Sequence, residues 1–481
     1  MTTSEQVAAD FQKAVGLLNG GKLAEAEQIL TPIAAAYPDH GMVRFVLGMA
    51  LGGLGRTLEA LAALRKAAAL GVDQPNLLPT IAGLLVNAGW TEEGIARYRE
   101  ALKKGPADAK LVIQLATALM IHGELGEALA LFRKVREADS NNIAAIGNAA
   151  QILATLGHDD EAMKLMALGA QLQPQAEFFR NWTLDLGLLK ALRTWISGQV
   201  TPVLRPADES DAYVPLIQNA LPASAQPSVV YFHVAQGAPH PIQSLQDGQS
   251  IDYFGILRLS AQTARRVLPG ARTVLLTDTD TALPDGLGVD VAVRLPLQRS
   301  WIMYERMRSQ RALVASGRAA GPVLFLDTDI IPRRDFTAVF AQVFDVGLTW
   351  RVHPLMPLNG GMILGKNGAS PGLLRFFDIC LGAYDAMAEL PTVRERYPFS
   401  IKEFQGDQLA LAAFTRWHPF IGRPARATID GVEAAFFPAD DLNASFSPAL
   451  DPAALDGKFA VHFKGGKAKS FAAAFAARVS A

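Results

Sequence analysis

The stretch "VLGMALGGLGRTLEALAALRKAAAL" (46–70) contains the unit from which the first part of the fold is built. It has the pattern of two helices joined by a turn at Gly55, with a small residue, Ala60, five positions after the glycine. The glycine recurs every 34 residues along the chain, and a small residue follows it each time; the pairs are Gly21 and Ala26, Gly55 and Ala60, Gly89 and Gly94, Gly123 and Ala128, Gly157 and Ala162. Units of this length must stack on one another to bury their apolar faces.

This pattern resembles the tetratricopeptide repeat family, and residues 1–176 are therefore predicted to form an all-α solenoid. The five predicted units are 7–40, 41–74, 75–108, 109–142 and 143–176. In this family the first helices of the units line a concave groove that takes an extended peptide. The register places Phe11, Met42, Phe45, Met49, Lys110, Ile113, Gln114, Asn148 and Gln151 on that face. Only Lys110 is basic, so we expect a neutral segment as the ligand; a packing or dimer surface is the alternative.

After the repeats, residues 177–227 are predicted to contain a capping helix and a linker. "EFFRNWTLDLGLLKALRTWI" (177–196) has apolar residues at helical spacing, which suits a helix that covers the last repeat. Prolines then interrupt regular structure at positions 202, 206, 215, 222 and 227. A proline-rich stretch of this kind indicates a semi-rigid connection.

Residues 228–481 change to alternating strands and helices, which predicts an α/β domain with a mostly parallel, buried sheet. Two of the predicted strands end in the same Asp-Thr-Asp sequence: "VLLTDTDTAL" (274–283) and "VLFLDTDIIP" (323–332). Ligands of such sheets bind beyond the carboxyl ends of the strands, so position alone does not separate the two. The first is followed by the turn-rich "TALPDGLG", and we expect Asp278 and Asp280 to cap a turn there.

The second copy is followed by further polar clusters in the order "PLNGGMILGKN", "EFQGDQLAL" and "FAVHFKGGKAKS". This ordered set resembles the GT-A glycosyltransferases, in particular family 8, which includes glycogenin and lipopolysaccharide galactosyltransferases. In that family the Asp-x-Asp signature follows the fourth strand, about a hundred residues into the domain, and Ser228 to Asp327 is 99 residues. The resemblance covers roughly residues 228–470 and implies a Rossmann-like GT-A fold. One departure is at Ala468, where the family usually has a lysine.

The resemblance implies a site with a divalent metal, Mn²⁺ or Mg²⁺. Carboxylate and imidazole ligands suit such an ion. The implied metal ligands are Asp327, Asp329 and His462. The implied catalytic residues, beside the anomeric carbon of the donor sugar, are Asp407 and Gln408. The implied substrate-binding residues are Arg306, Arg308, Asn359, Gly360, Gly361, Lys464, Gly465 and Lys467, with Gly466 and Lys469 beside them.

The leading interpretation is therefore a metal-dependent, retaining glycosyltransferase with a nucleotide-sugar donor, expected to be a UDP-sugar. The repeats would recruit the acceptor, which we expect to be a polypeptide. A nucleotidyltransferase is disfavoured because "YFHVAQGAPHPIQ" (231–243) lacks a basic, glycine-rich phosphate loop. A non-catalytic adaptor with an inert transferase-like domain stays open as the alternative.

The bulk composition excludes several other classes of protein. The net charge of −1 gives no general attraction to nucleic acid or to anionic membranes. The single cysteine, Cys380, excludes an intramolecular disulfide and a cysteine-rich zinc site. We expect a cytoplasmic protein, because the sequence has no pattern of a signal peptide and no apolar run long enough for a transmembrane helix.

Overall fold

The structure is a computed structural model that describes residues 4–105, 108–199, 212–235, 252–397, 399–403, 405–418, 425–447, 449–464 and 472. Its order is the predicted one, with a helical region followed by an α/β domain. Contacts divide the chain into two compact units. One unit comprises Met1–Ala149 together with Pro448–Asp456, and the other comprises Ala150–Ser447 together with Gly457–Ala481.

The helical region consists of helix pairs that coincide with the predicted units. The helices are α1 (Ser4–Asn19), α2 (Leu23–Ala36), α3 (Gly41–Gly53), α4 (Thr57–Ala69), α5 (Leu77–Asn87), α6 (Thr91–Lys104), α7 (Ala109–His122), α8 (Leu125–Ala138), α9 (Ile143–Thr155) and α10 (Asp159–Leu172). The periodic glycines lie in the turn inside each pair. All five have positive φ, between 74° at Gly21 and 92° at Gly123, a backbone conformation that favours glycine. The 34-residue period therefore reflects the turn inside each helix pair, whose backbone conformation favours glycine at the same position each time.

The small residues of the period are buried between the two helices of a pair. Ala26, Ala60, Ala128 and Ala162 have no exposed surface. At the equivalent Gly94, an added Cβ would lie 2.6 Å from Cγ2 of Val86, so the helices approach too closely there for a side chain. Close helix packing is the second requirement that the repeat encodes.

One residue predicted to line the concave face is part of the core instead. Phe45 is 7% exposed and belongs to the main apolar cluster of the first repeats. Phe11, Met42 and Met49 are half-buried and pack against that cluster. Phe45 is therefore a core residue, and its interpretation as a ligand contact was wrong.

The helix after the repeats, α11 (Glu177–Ser197), has the predicted position but a slightly different buried face. Phe179 is 2% exposed, and its ring would lie 2.2 Å from a Cβ at Gly169 of α10. Its neighbour Phe178 is 43% exposed. The predicted linker also contains a short helix, α12 (Tyr213–Ala220), which spans Pro215.

The α/β domain is built on a mixed eight-stranded sheet. Its strands are β1 (Ser228–Phe232), β2 (Arg272–Asp278), β3 (Val291–Leu295), β4 (Val323–Leu326), β6 (Val346–Trp350), β7 (Leu358–Gly365), β8 (Ala425–Ile429) and β9 (Val432–Pro438). The strand order is β3-β2-β1-β4-β7-β6-β9-β8. The first four strands are parallel to one another, whereas β7 is antiparallel to both of its neighbours. The start of β7 therefore lies beside the carboxyl end of β4, where ligands of such sheets bind.

A second, three-stranded sheet and the remaining helices complete this domain. The small sheet has the order β10-β11-β5, with β5 (Ile330–Pro332), β10 (Ala444–Ser445) and β11 (Ala460–His462). The helices are α13 (Tyr253–Val267), α14 (Ile302–Ala315), α15 (Thr337–Phe340), α16 (Pro371–Ala388), α17 (Pro391–Arg396), α18 (Gly406–Phe414) and α19 (Ala439–Leu442). The apolar core under the main sheet includes Tyr231, Leu275, Leu324 and Leu364, all fully buried. Among the residues that the structure describes, no helix has the length and apolarity needed to cross a membrane.

Candidate metal centre

The second Asp-Thr-Asp sequence connects the two sheets. Asp327 follows β4 directly, and Asp329 directly precedes β5. The backbone N–H of Asp327 donates to the carbonyl of Gly361 on β7 at 2.8 Å. The carbonyl of Asp329 accepts from the N–H of Phe463 at 2.9 Å, just after β11. The main chain of both aspartates is therefore held by neighbouring elements.

His462, the last residue of β11, completes a cluster with these carboxylates. Strand β11 runs antiparallel to β5, with His462 opposite Ile330, the residue after Asp329. The imidazole Nε2 lies 3.2 Å from Oδ1 of Asp329. One ligand atom from each of Asp327, Asp329 and His462 lies within 4.8 Å of the others. The cluster that the resemblance implied is thus brought together by the fold.

The residues present fit a divalent cation. Two carboxylates are the hard oxygen ligands that Mn²⁺ and Mg²⁺ prefer, and one imidazole is a borderline ligand that suits Mn²⁺ better than Mg²⁺. His462 is 6% exposed, and its Nδ1 has no hydrogen-bond partner among the described residues. The cluster could therefore hold a metal ion.

The Asn-Gly-Gly sequence borders this cluster from β7. A Cβ at Gly361 would lie 2.8 Å from Oδ2 of Asp327 and 3.0 Å from Cε1 of His462, so a side chain at this position would crowd two of the three ligands. The amide Oδ1 of Asn359 accepts from the N–H of Gly361 at 3.0 Å. Its Nδ2 is buried and unpartnered among the described residues, which leaves a donor for a bound polar group.

Asp407 is linked to the cluster through Arg306. The guanidinium of Arg306, on α14, donates to Oδ1 of Asp327 and to Oδ2 of Asp407. Asp407 is 1% exposed, and burial raises the pKa of its carboxyl, an effect that the charge of Arg306 partly offsets. Its Oδ1 has no partner among the described residues. A buried carboxylate with a free oxygen can accept a hydroxyl hydrogen of a ligand.

Two glycines allow the close packing around Asp407 and the start of α18. A Cβ at Gly360 would lie 2.5 Å from Oδ2 of Asp407. A Cβ at Gly406, the first residue of α18, would lie 2.1 Å from Cε2 of the buried Tyr384. The residue before that helix, Gln405, has a φ of +66°. Glycine is therefore required on both sides of this carboxylate for packing reasons.

Gln408 accepts a hydrogen bond from Arg351, which the sequence analysis did not name as a site residue. Nη2 of Arg351 donates to Oε1 of Gln408, and Nε of Arg351 donates to the carbonyl of Met356 at 3.1 Å. Burial lowers the pKa of Arg351, and the charge of Asp407 opposes that effect. Arg351 directly follows β6, a strand that the sequence analysis did not predict.

The other basic residues that were predicted to bind substrate differ in their positions and contacts. Arg308 donates to Oε1 of Glu305 at 3.0 Å and lies over the ring of Tyr213, so it contacts neither Asp327 nor Asp407. Lys464 is half-buried, and burial, followed by the charge of Arg351, lowers its pKa to about 8. Gly465 and Lys467, and with them Gly466 and Lys469, lie outside the described residues.

The first Asp-Thr-Asp sequence forms a capped turn, as predicted. Oδ1 of Asp278 accepts from the N–H of Thr281 at 2.8 Å, and Oδ2 accepts from Nε of Arg299. Asp280 is largely exposed. The guanidinium of Arg294 donates to three carbonyls of the same turn. Both oxygens of Asp278 are thus used within the turn and the segment that follows it.

Comparison with known proteins identifies the helical region. Two tetratricopeptide repeat models match the chain, one at residues 11–75 and the other at 78–182. Residues 11–182 form a tetratricopeptide repeat array. The matched residues end before the α/β domain begins. No curated protein matches the chain.

Several solved structures resemble the array. YrrB, described as a tetratricopeptide repeat protein with an unusual peptide-binding site, is 19% identical; the match covers 35% of this chain and 88% of YrrB, with a TM-score of 0.33. MamA is 16% identical, with coverage of 36% and 94% and a TM-score of 0.33. A tetratricopeptide repeat protein from Parabacteroides merdae is 18% identical, with coverage of 40% and 76% and a TM-score of 0.36.

Proposed function

We propose that the α/β domain has the GT-A fold and is a metal-dependent, retaining glycosyltransferase with a UDP-sugar donor. We further propose that the tetratricopeptide repeat array recruits a polypeptide acceptor. The observation that carries the proposal is the cluster of Asp327, Asp329 and His462 at the carboxyl end of β4. Beside it lie an unpartnered amide at Asn359 and an unpartnered carboxylate oxygen at Asp407.

The three clustered residues would hold Mn²⁺ or Mg²⁺, which supplies Lewis-acid stabilisation of the leaving diphosphate. The protein's own residues would place the donor sugar and supply charge beside it. Asn359 Nδ2 is a donor and Asp407 Oδ1 an acceptor, a pair that suits the hydroxyls of one sugar ring. Arg306 fixes Asp407 and Asp327 relative to each other, so the sugar contact and the metal ligand are held in one geometry.

Asp407 also suits the electrostatics of sugar transfer. When the bond between the anomeric carbon and the phosphate oxygen breaks, its electron pair leaves with the diphosphate and positive charge develops on the sugar. A buried carboxylate beside that carbon stabilises this charge more strongly than one in water, because the surrounding dielectric is low. The acceptor hydroxyl oxygen then forms the new bond to the anomeric carbon, and its proton passes to the departing diphosphate.

The experiment is a screen of nucleotide sugars for hydrolysis by the full-length protein, with and without Mn²⁺. We expect one uridine diphosphate sugar to be hydrolysed slowly and only with the metal. Calorimetric titration of UDP, with and without Mn²⁺, measures the same dependence without turnover. A protein that binds peptides but neither UDP nor Mn²⁺ would instead be an adaptor.

A further inference from the structure

The first turn of α18 carries the two residues implied to lie beside the donor sugar, and each is held by an arginine from another element. Arg306 of α14 donates to Oδ2 of Asp407. Arg351, directly after β6, donates through Nη2 to Oε1 of Gln408. Asp407 is 1% exposed, whereas Gln408 is half-buried, so the amide is the more accessible of the two side chains.

Arg351 is itself fixed by the loop between β6 and β7. Its backbone N–H donates to the carbonyl of Pro357 at 2.8 Å, and its Nε donates to the carbonyl of Met356 at 3.1 Å. The next carbonyl back along the loop, that of Leu355, accepts from the indole N–H of Trp417 at 3.0 Å. The guanidinium therefore extends from an anchored backbone, and one of its groups is bonded within the same loop.

These contacts determine which end of the Gln408 carboxamide faces a ligand. A guanidinium carries hydrogen-bond donors only, whereas an amide carries an acceptor, the oxygen, and a donor, the N–H₂ group. The end that meets Arg351 must therefore be the oxygen. The Nε2–H₂ group is then left for a ligand, and it can bind only an acceptor atom of that ligand.

Charge favours a hydroxyl over a phosphate as the partner of this N–H₂ group. Asp407, the preceding residue on α18, is a buried carboxylate, and its Oδ1 has no partner among the described residues. A phosphate oxygen would be repelled by this carboxylate, whereas a hydroxyl can donate to it and accept from a neighbouring amide. An acceptor and a donor on consecutive residues therefore suit a sugar.

We propose that Arg351 is a positioning residue that orients the carboxamide of Gln408, so that Nε2 donates to a hydroxyl oxygen of the donor sugar. Without the guanidinium, the carboxamide can rotate about its last bond and present either end. Arg351 acts on the sugar only through Gln408. The sugar contact rests on the proposed function, whereas the hold of Arg351 on Gln408 does not.

The first experiment measures this hold in the full-length protein without nucleotide or metal. Urea unfolding compares Arg351→Met, Gln408→Met and the double variant. We expect the shift of the urea midpoint in the double variant to be smaller than the sum of the two single shifts, because the same hydrogen bond is lost in all three. Additive shifts would show that the two side chains do not interact and would overturn the proposal.

The second experiment is calorimetric titration in the presence of Mn²⁺. UDP is the probe without a sugar, and UDP-glucose, UDP-galactose and UDP-N-acetylglucosamine are the probes with one. For the UDP-sugar that the unaltered protein binds best, we expect about fivefold weaker binding in Arg351→Met, as for the loss of one hydrogen bond, with the affinity for UDP unchanged. An equal loss for UDP would place the contact at the diphosphate and overturn its assignment to the sugar.

Arg193→Met is the matched control for the loss of a half-buried arginine. Arg193 of α11 also donates to one side chain and one backbone carbonyl, those of Asp159 and Ala154. We expect this variant to keep both affinities. If it lost affinity for the UDP-sugar as Arg351→Met does, the loss would reflect general destabilisation and the positioning role would be refuted.

Two conservative variants separate orientation from charge. Arg351→Lys keeps the positive charge but not the planar fork that bonds Gln408 and Met356 together. We expect it to weaken binding of the UDP-sugar as Arg351→Met does, and full recovery would show that charge alone suffices. Gln408→Glu keeps an acceptor for Arg351 and removes the donor. Its urea midpoint should not fall, while its affinity for the UDP-sugar should fall relative to that for UDP; an unchanged ratio would overturn the donor role of Nε2.

The two experiments also separate this inference from the proposed function. If the unaltered protein bound neither UDP nor any of the three UDP-sugars with Mn²⁺, the proposed function would fail and the sugar contact of Gln408 with it. The urea experiment would still decide whether Arg351 holds Gln408. If the unaltered protein bound a UDP-sugar and Arg351→Met bound it equally well, the positioning role alone would be overturned.

Discussion

At the scale of single residues, two identical Asp-Thr-Asp sequences differ in what their carboxylates contact. Asp278 accepts from Thr281 and Arg299, within its own turn and the segment that follows it. Asp329 lies beside His462, a residue 133 positions later in the chain. The turn-rich sequence after the first copy was enough to predict its role. The second needed the later histidine, which family resemblance supplied and residue chemistry alone did not.

This difference gives a direct prediction. Asp329→Ala should abolish Mn²⁺-dependent binding of UDP, because it removes one of three candidate metal ligands. Asp278→Ala should leave that binding intact and lower the free energy of unfolding by about 1 kcal/mol, as expected for the loss of a cap. Calorimetric titration of UDP with Mn²⁺ and urea unfolding measure the two effects. Equal loss of UDP binding in both variants would refute the assignment of the metal site to the second copy.

The contacts of some site residues could not be predicted from the sequence, and the reason is physical. Arg306 and Arg308 lie two positions apart on α14, so they point to different sides of the helix. Arg306 bridges two carboxylates, whereas Arg308 contacts Glu305 and Tyr213. Without the helix register, the sequence could not separate them. The contact of Arg351 with Gln408 joins residues 57 positions apart and has no local signal.

At the scale of elements, the glycines show which local requirements can be read from a sequence. The periodic turn glycines were predictable because the same conformation recurs at a fixed spacing. Gly406 directly precedes the predicted site residues Asp407 and Gln408, but its packing role was not visible in the sequence. That role depends on Tyr384, whose ring fills the space where a Cβ would stand. Contacts between elements that are distant in the sequence therefore determine the part of the site that could not be predicted from the sequence.

A matched pair of glycine substitutions tests this packing role. Gly406→Ala should destabilise the protein and reduce hydrolysis of the UDP-sugar, because Tyr384 or α18 must move and Asp407 moves with the helix. We expect a loss of about 1–3 kcal/mol in the free energy of unfolding, the usual cost of overpacking. Gly187→Ala, in α11, meets no described atom within 4 Å and should stabilise the protein by about 0.5–1 kcal/mol. The assignment fails if both variants shift stability in the same direction.

At the scale of the whole molecule, the order of a repeat array and an α/β domain was predictable from periodicity. The change from a 34-residue repeat to alternating strands and helices marks it in the sequence. The mixed sheet was not predicted, because β7 and β6 have the same apolar composition as the parallel strands. The place of 449–456 in the helical unit was also hidden, since its contacts with Ala88 and Trp90 span more than 350 residues.

Two histidines of the α/β domain predict how stability responds to acid. Burial lowers the pKa of His233 and of His353 to about 4, with the charge of Arg351 adding to the effect at His353. The unfolded chain, with ordinary histidine pKa values near 6.5, therefore binds more protons than the folded chain as the pH falls. Stability should be full above about pH 6.5 and decrease towards pH 4, by up to about 3 kcal/mol for each ring.

Urea unfolding between pH 7 and pH 5, followed by tryptophan fluorescence, measures this slope. His353→Asn keeps an acceptor for the N–H of Met356, which Nδ1 of His353 serves at 3.0 Å, but carries no titrating group. We expect a shallower slope in this variant. An unchanged slope in His353→Asn would show that His353 does not contribute to the acid response.

The division of labour between the array and the α/β domain gives the last prediction. The candidate metal and sugar contacts all lie after residue 300, so recruitment of a polypeptide by the array should be separable from donor chemistry. Met49→Lys changes a half-buried residue predicted to lie on the concave face, whereas Leu58→Lys changes an exposed residue of α4. We expect Met49→Lys to reduce transfer of labelled sugar to protein acceptors of a host extract and to leave donor hydrolysis by water unchanged. The reason is that a lost docking surface lowers the local acceptor concentration and affects no group at the donor.

Both rates are measured in parallel with Leu58→Lys as the control. If Met49→Lys left transfer intact, or if both variants reduced it equally, the concave face would not be the acceptor surface.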